Sequence, residues 1–310
     1  MSTHRIGVSL LCLLASAPAL GATIHVAPPT RDPVADQASI LEAAAQAQEG
    51  DTIEFDRGRY AMDLGAWFCD RDDPDCGQYP DEAPTANHIV IKGHECDLDD
   101  DDDDCTVLDG GGFVDLGVWL LSGVEIREFR FRGSARYAIY ASGAKDFTVT
   151  SNDFLLETGV PVFPVYMEGI TLTKNRFEGP FAGFWVQASA GPIVIRENHG
   201  SGVRDWQAIR VVLCSGEVWI EENVLVDNVR GIRNWSPDAD VHIAENEIRD
   251  SWLVGIRLDE SPTTMKENIV TGTDGPGLCV NGGTFTLDED EFSDNAGGDV
   301  VVADPEDGCP

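Results

Sequence analysis

The amino-acid sequence predicts an all-β chain wound as a single-stranded parallel β-helix, a solenoid, with an N-terminal capping helix. Three observations lead there. The pattern V-x-I-x-x-N-x-I recurs with starts at Val124, Phe147, Ile170, Ile193, Val218, Val241, Thr263 and Phe285, in steps of 22 to 25 residues. Each unit holds three short segments that alternate with period two, such as "VHIAE", "NEI" and "VGIRL" between Val241 and Leu258, and that period belongs to strands rather than helices. Strands so short, joined without helices at a nearly fixed repeat, bury their apolar side only by stacking unit on unit. Finally, Asn152, Asn175, Asn198, Asn223, Asn246 and Asn268 fill one slot, with Asp290 in the last unit and Phe129 in the first. An amide at an inward-facing turn can bond the turn backbone and its copies above and below, which reads as a structural row rather than a site.

Taken from the start, residues 1–22 have a short basic end, an apolar run from Ile6 to Leu14 and small residues from Ala17 to Ala22. This is the grammar of a cleaved secretory signal, so the mature β-helix domain is expected over residues 23–310, secreted to an extracellular, periplasmic or cell-surface location. No other apolar run is long enough to cross a bilayer, and membrane insertion is not expected. In "SILEAAAQAQEG" Ser39 and Glu42 suggest a capping box, Ile40, Leu41, Ala44 and Ala47 an apolar face, and Gly50 a stop. A helix here would plug the open end of the stack, which otherwise exposes core and unpaired strand edges. "GDTIEFDRGRY", "HIVIKG" and "TVLDGGG" then read as the first, less regular turns.

Loss of Cys12 with the signal leaves seven cysteines. In an oxidising compartment Cys69/Cys76 and Cys96/Cys105 pair naturally, each closing a short acidic loop, at 69–76 and 96–105. Cys279 with Cys309 is the expected third bridge, leaving Cys214 buried and free, although sequence alone leaves connectivity open. The second loop, "CDLDDDDDDC", crowds Asp97, Asp99, Asp101 and Asp103 among further aspartates. Such crowding asks for countercharge, and a structural calcium ion, which takes six to eight oxygens in flexible geometry, is one reading. A solvated, diffusely screened loop is the other.

"SILEAAAQAQEGDTIEFDRGRY", "TVLDGGG" and the I-x-x-N-x-I units resemble the right-handed parallel β-helix proteins of the pectate-lyase-like superfamily, over nearly the whole mature chain. The resemblance implies a right-handed solenoid and carbohydrate-directed function: lyases, hydrolases and epimerases acting on polysaccharides, beside adhesins and noncatalytic members. The W-x-D-H element of the pectate lyases is missing, and the N-x-D, D-D, G-H-G and R-x-K signature of the polygalacturonases is not found at matching rungs.

The third strand of each unit carries the functional expectation. Its inward residues are Ile139, Phe184, Ile209, Ile232, Ile256 and Leu278, so the residue after each points outward. That column reads Tyr140, Trp185, Arg210, Arg233, Arg257 and Cys279, with Tyr166 a possible member from the irregular "VPVFPVY". Two residues further on, a second column adds Gln187, Trp235, Asp259 and Asn281, while Trp206 and Trp252 lie in loops leading into this face. Aromatic faces take the apolar face of a pyranose, and guanidinium forks grip a uronate or sulfate in a bidentate way. The opposing reading is a copied surface ladder, neutralised by Asp205, Asp227, Asp250 and Asp259 and no more meaningful than the glutamate column Glu197, Glu222, Glu245, Glu267 and Glu289.

The chain carries 55 acidic against 21 basic residues, a formal net charge of -34. That field repels phosphate backbones, so nucleic acid is not an expected partner. The expected protein is a monomer binding acidic or sulfated polysaccharide. The alternatives are a polysaccharide lyase or epimerase acting on uronate-containing glycan, and a noncatalytic structural or adhesin-like surface protein. For a lyase, Arg210, Arg233 and Arg257 could stabilise an enolate, and Tyr140 or Asp205 could serve as base. Glycoside hydrolysis ranks below both, because no facing carboxylates are evident.

Overall fold

A computed structural model of the chain describes residues 21–63, 65–74, 76, 81–96, 104–133, 135–303 and 309. Residues 1–20, most of the expected signal, and Asp97, Asp99, Asp101 and Asp103 of the expected calcium loop lie outside the described residues.

Three parallel sheets of 11, 10 and 11 strands run the length of the molecule, one strand of each sheet per coil. The repeat starts pair as written in the sequence: Phe147, Ile170, Ile193, Val218, Val241, Thr263 and Phe285 are successive partners in the first sheet. Ile139, Phe184, Ile209, Ile232, Ile256 and Leu278 are fully buried in the third. The core is thus a set of like-on-like apolar files along the axis.

The turn from first to second sheet holds these files in step. Asn198 accepts from the Asn175 backbone N–H at 2.9 Å and from its amide at 3.1 Å, while donating to the Leu172 carbonyl at 2.8 Å and to Asn223 Oδ1 at 2.9 Å. The same bonds recur from Phe129, whose N–H donates to Asn152, to Asp290, which accepts from Asn268. The residue before each asparagine is left-handed: Glu197, Glu222, Glu245, Glu267 and Glu289 have φ between 54° and 60°. The glutamate column is therefore the exposed shoulder of this turn, not a row on a strand.

The helix departs from expectation. It spans Pro33–Gln46, and Asp32, not Ser39, is its N-cap, accepting from the Val34 and Ala35 N–H groups. Proline is favoured at the first helical position because no N–H is needed there, and "DP" was the true start signal. Ser39 sits inside the helix and donates to the Asp36 carbonyl. Asp36 is buried, accepting from Thr30 and from the Ala61 N–H, which fixes the helix to the first coil. Ile40, Ala43, Ala44 and Ala47 face the core, and the helix covers the edge made by strands Ala66–Asp70 and Glu82–Thr85, as the capping expectation required.

The disulfides are Cys69–Cys76, Cys96–Cys105 and Cys279–Cys309, with Cα separations of 5.7, 5.0 and 6.0 Å. Cys214 is free and buried. It stands between Ser189 and Ser236 in a file of small polar residues at the turn leaving the third sheet, its N–H bonding Ser236 Oγ at 3.2 Å. Burial pushes its thiol pKa up, which makes it a space-filling residue rather than a nucleophile. Among the described residues no helix is long and apolar enough to cross a membrane.

Candidate functional site

The third sheet turns its outer face into a continuous aromatic and cationic strip. Register pairs Tyr140 with Phe163, Trp185 with Arg210, Arg210 with Arg233, Arg233 with Arg257 and Arg257 with Cys279. The coil that resisted reading contributes Phe163, and Tyr166 is excluded: it lies in the following turn with φ 56°. The strip also begins earlier than expected. Trp67 folds over Gly117, where any added Cβ would meet its ring at 2.2 Å, and reaches Tyr140 at 5.7 Å between ring centroids. Tyr140–Phe163 at 5.7 Å and Phe163–Trp185 at 4.9 Å continue the chain of rings.

The three arginines of the row are not equivalent. Arg210 packs against a stacked pair of indoles, its guanidinium carbon 4.4 Å from the ring centres of both Trp185 and Trp206. It has no carboxylate within ion-pair distance among the described residues, and its Nε and Nη1 are buried without a hydrogen-bond partner. Burial, then the neighbouring Arg233, lower its pKa to about 10, so it stays charged at neutral pH. Arg233 and Arg257 instead converge on one carboxylate. Asp259 Oδ2 lies 2.8 Å from Arg233 Nε and 2.9 Å from Arg257 Nε, and Asn281 donates to Oδ1 at 3.1 Å. Burial would raise the pKa of Asp259, but hydrogen bonds from Arg257 and Asn281 and the charges of Arg233 and Arg257 overcome it and hold the group ionised. Arg257 also donates to the Cys309 carbonyl at 2.7 Å, held there by the Cys279–Cys309 bridge. Of the proposed neutralising carboxylates, Asp259 alone takes this part; Asp227 accepts from Trp252 Nε1.

Two cavities flank the indole pair. One, of 470 Å³, is lined by Arg136, Tyr137, Val160, Phe181 and Trp185 among others. The other, of 370 Å³, is lined by Phe181, Asp205, Trp206, Gln207, Arg230, Arg233 and Arg257. Phe181 borders both; the first cavity, towards the N-terminal coils, is mainly aromatic and apolar, and the second, towards the C-terminal ones, is cationic. Arg230, absent from the sequence reading, bonds the Asp205 carbonyl at 3.2 Å rather than a carboxylate. Trp185 Nε1 and Gln207 Oε1 are, like the Arg210 nitrogens, buried without partners. Buried polar atoms are nearly always satisfied in folded proteins; these four are not, although each is shielded from solvent and Arg210 itself lines neither cavity.

Other expected members fall differently. Trp235 is near Arg233, at 6.0 Å from ring centre to guanidinium. Gln187 is on the strip but lines neither cavity. Asp259 faces outward, yet is buried beneath its arginines. Tyr140 has a raised pKa, chiefly from burial, which opposes a phenolate base at neutral pH. Asp205 is exposed at the cleft rim. His199 and His242 lie on the second and first sheets, away from this face, His242 stacked on Trp219 at 3.9 Å. Among the described residues no group of three His, Cys, Asp or Glu side chains is arranged to hold a metal ion.

No protein-family model matches the chain, and no characterised protein matches it by sequence. Solved structures do match by shape. The A-module of a mannuronan C-5 epimerase from Azotobacter vinelandii superposes with a TM-score of 0.63 at 15% identity, over 87% of this chain and 74% of that one. An alginate lyase from a Paenibacillus species gives 0.62 at 13% identity, over 91% and 98%. An endo-xylogalacturonan hydrolase from Aspergillus tubingensis gives 0.54 at 10%, over 91% and 95%. With its three parallel sheets, stacked asparagines and capped first coil, the chain has the right-handed parallel β-helix fold of the pectate-lyase-like proteins.

Proposed function

We propose that this protein, secreted across a membrane, binds an acidic or sulfated polysaccharide in the cleft of its third sheet. The observation that carries the reading is Arg210: a guanidinium packed against Trp185 and Trp206, which line the two cavities, and free of any carboxylate among the described residues. A carboxylate or sulfate supplies the missing acceptors in a charge-assisted pair, and the flanking indoles offer flat faces to the sugar rings. The three disulfides fit an oxidising compartment, where such polymers are met. The fold relatives support the substrate class, since an epimerase of mannuronan, a lyase of alginate and a hydrolase of xylogalacturonan all act on polysaccharides.

Retention on immobilised pectate, alginate and a sulfated glycan tests this. Wild-type protein is expected to bind at least one of them in a salt-sensitive manner. Arg210→Ala should weaken that binding roughly 10- to 100-fold, the worth of one hydrogen-bonded ion pair at about 1.5 to 3 kcal/mol. Equal retention of the variant, or none by the wild type, contradicts the reading. A second reading, catalysis by a lyase or epimerase, draws on two of the three fold relatives. Of its two candidate bases, Tyr140 is pushed away from ionisation, which leaves Asp205 at the cavity rim. Growth of unsaturated-product absorbance in the same incubations would favour it.

A further inference from the structure

We infer that Arg136 forms a second anion subsite, three rungs from Arg210 and offset from it along the strand direction, so that this face takes a linear polyanionic glycan of at least four sugars running obliquely across the third sheet. The inference rests on the reading of the third-sheet cleft given above and extends it to a residue outside the arginine row. Arg136 repeats the device seen at Arg210: its guanidinium carbon lies 5.3 Å from the Phe113 ring centre and 5.4 Å from that of Tyr137. It is exposed, and no carboxylate pairs with it among the described residues.

The geometry between the two cations is that of a trough. Arg136 precedes strand Tyr137–Ser142, and Arg210 belongs to strand Gln207–Val212, with strands Val160–Val165 and Phe184–Gln187 between them in the sheet. Three steps of about 4.8 Å separate them along the axis, and because Arg136 lies four residues before Tyr140, which shares the column of Arg210, their backbones are also about 13 Å apart along the strand direction, roughly 19 Å in all. The floor between is wholly apolar: Tyr137 stacks on Phe163 at 5.1 Å, Phe163 meets Trp185 at 4.9 Å, and Trp185 stacks on Trp206 at 5.6 Å. Phe113 and Phe181 stand exposed along the rim. In a 1,4-linked pyranoside chain each ring advances by about one strand spacing, so a uronate at each cation leaves two or three rings over the aromatic floor. Elsewhere the surface is strongly acidic, since the chain carries a formal charge of -34. Two unneutralised cations at the ends of an aromatic trough are thus a specific exception, suited to a periodic anion rather than to a single small one.

Occupying both ends makes the second contact intramolecular, which multiplies affinity without altering either site. Calorimetry with oligogalacturonates and oligomannuronates of two, three, four and six sugars reads this directly. The expected result is a rise in affinity of at least tenfold between two and four sugars. In Arg136→Ala the four-sugar ligand should fall to the two-sugar affinity, with two-sugar binding unchanged, while Arg210→Ala weakens every length. Arg136 is exposed, so its replacement should leave the melting temperature unaltered, which serves as the folding check. If affinity is independent of length, or Arg136→Ala is silent, while Arg210→Ala still weakens binding, the second subsite is overturned and the reading of the cleft survives. If no length binds, both fall.

Discussion

Arg210 and Arg233 sit one rung apart in a single file, yet their chemistry is set by different neighbours. Asp259 neutralises Arg233 and Arg257 together, whereas the aromatic walls around Arg210 supply no acceptor. The period of the repeat located all three residues on one face. It did not reveal which was paired, because Asp259 is two residues from Arg257 in sequence but 26 from Arg233, and pairing depends on the stacking. Arg136, Phe163 and Trp67 were missed for a related reason: they belong to early or irregular coils where the repeat pattern is weak. Asp115 was missed as well. It is fully buried, neither carboxylate oxygen has a partner, and burial, then the charges of Asp109 and Asp63, raise its pKa well above the usual range. The folded state therefore holds this proton more tightly than the unfolded chain, and stability falls as pH rises above the ordinary aspartate range. Asp115→Asn should raise the unfolding free energy at about pH 8 by roughly 1 to 3 kcal/mol, the usual cost of an unsatisfied buried group, and flatten its pH dependence. Denaturant titrations at several pH values check this; a variant less stable than the wild type throughout would refute it.

At the scale of an element, the turn between first and second sheet is the most constrained part of the chain, and also its most legible. An inward amide repeated at 22 to 25 residues has few physical uses other than a ladder, and the observed bonds from Asn152 to Asp290 are that ladder. Asn223→Ala would strip the Asn198 N–H and the Ile195 carbonyl of their partners. At about 1 to 3 kcal/mol for each unsatisfied group, the expected loss is several kcal/mol, measured as a lower denaturation midpoint. A loss under about 0.5 kcal/mol would mean that water replaces the amide, as at a surface position. The capping helix was legible in existence and role but not in its start. "SILE" competes with "DPVAD" as an N-cap signal, and Asp36, needed inside to anchor Thr30 and Ala61, extends the helix over a stretch whose polar residues look like loop.

For the whole molecule, stacking is what turns a local repeat into a surface. Each coil contacts its neighbours above and below, so residues some 23 positions apart become adjacent, and a row of like residues becomes a strip with a direction. Fold and face were therefore both readable once the period was known. The cleft was not, because its walls come from loops: Phe181 and Trp206 lie in connections ahead of their strands, Phe181 packing on Trp206 and Trp206 on Trp185. The proposed binding requires the cations of this strip to overcome the repulsion that a formal charge of -34 exerts on an anionic polymer. The central claim is that such a polymer lies on the third sheet with Arg210 as its anchor. A crystal structure of the wild-type protein with an oligouronate of four or more sugars tests it most directly. The account predicts a uronate carboxylate paired with the Arg210 guanidinium and the neighbouring ring over Trp185 or Trp206; an oligosaccharide seated on the first or second sheet, with Arg210 untouched, would contradict it.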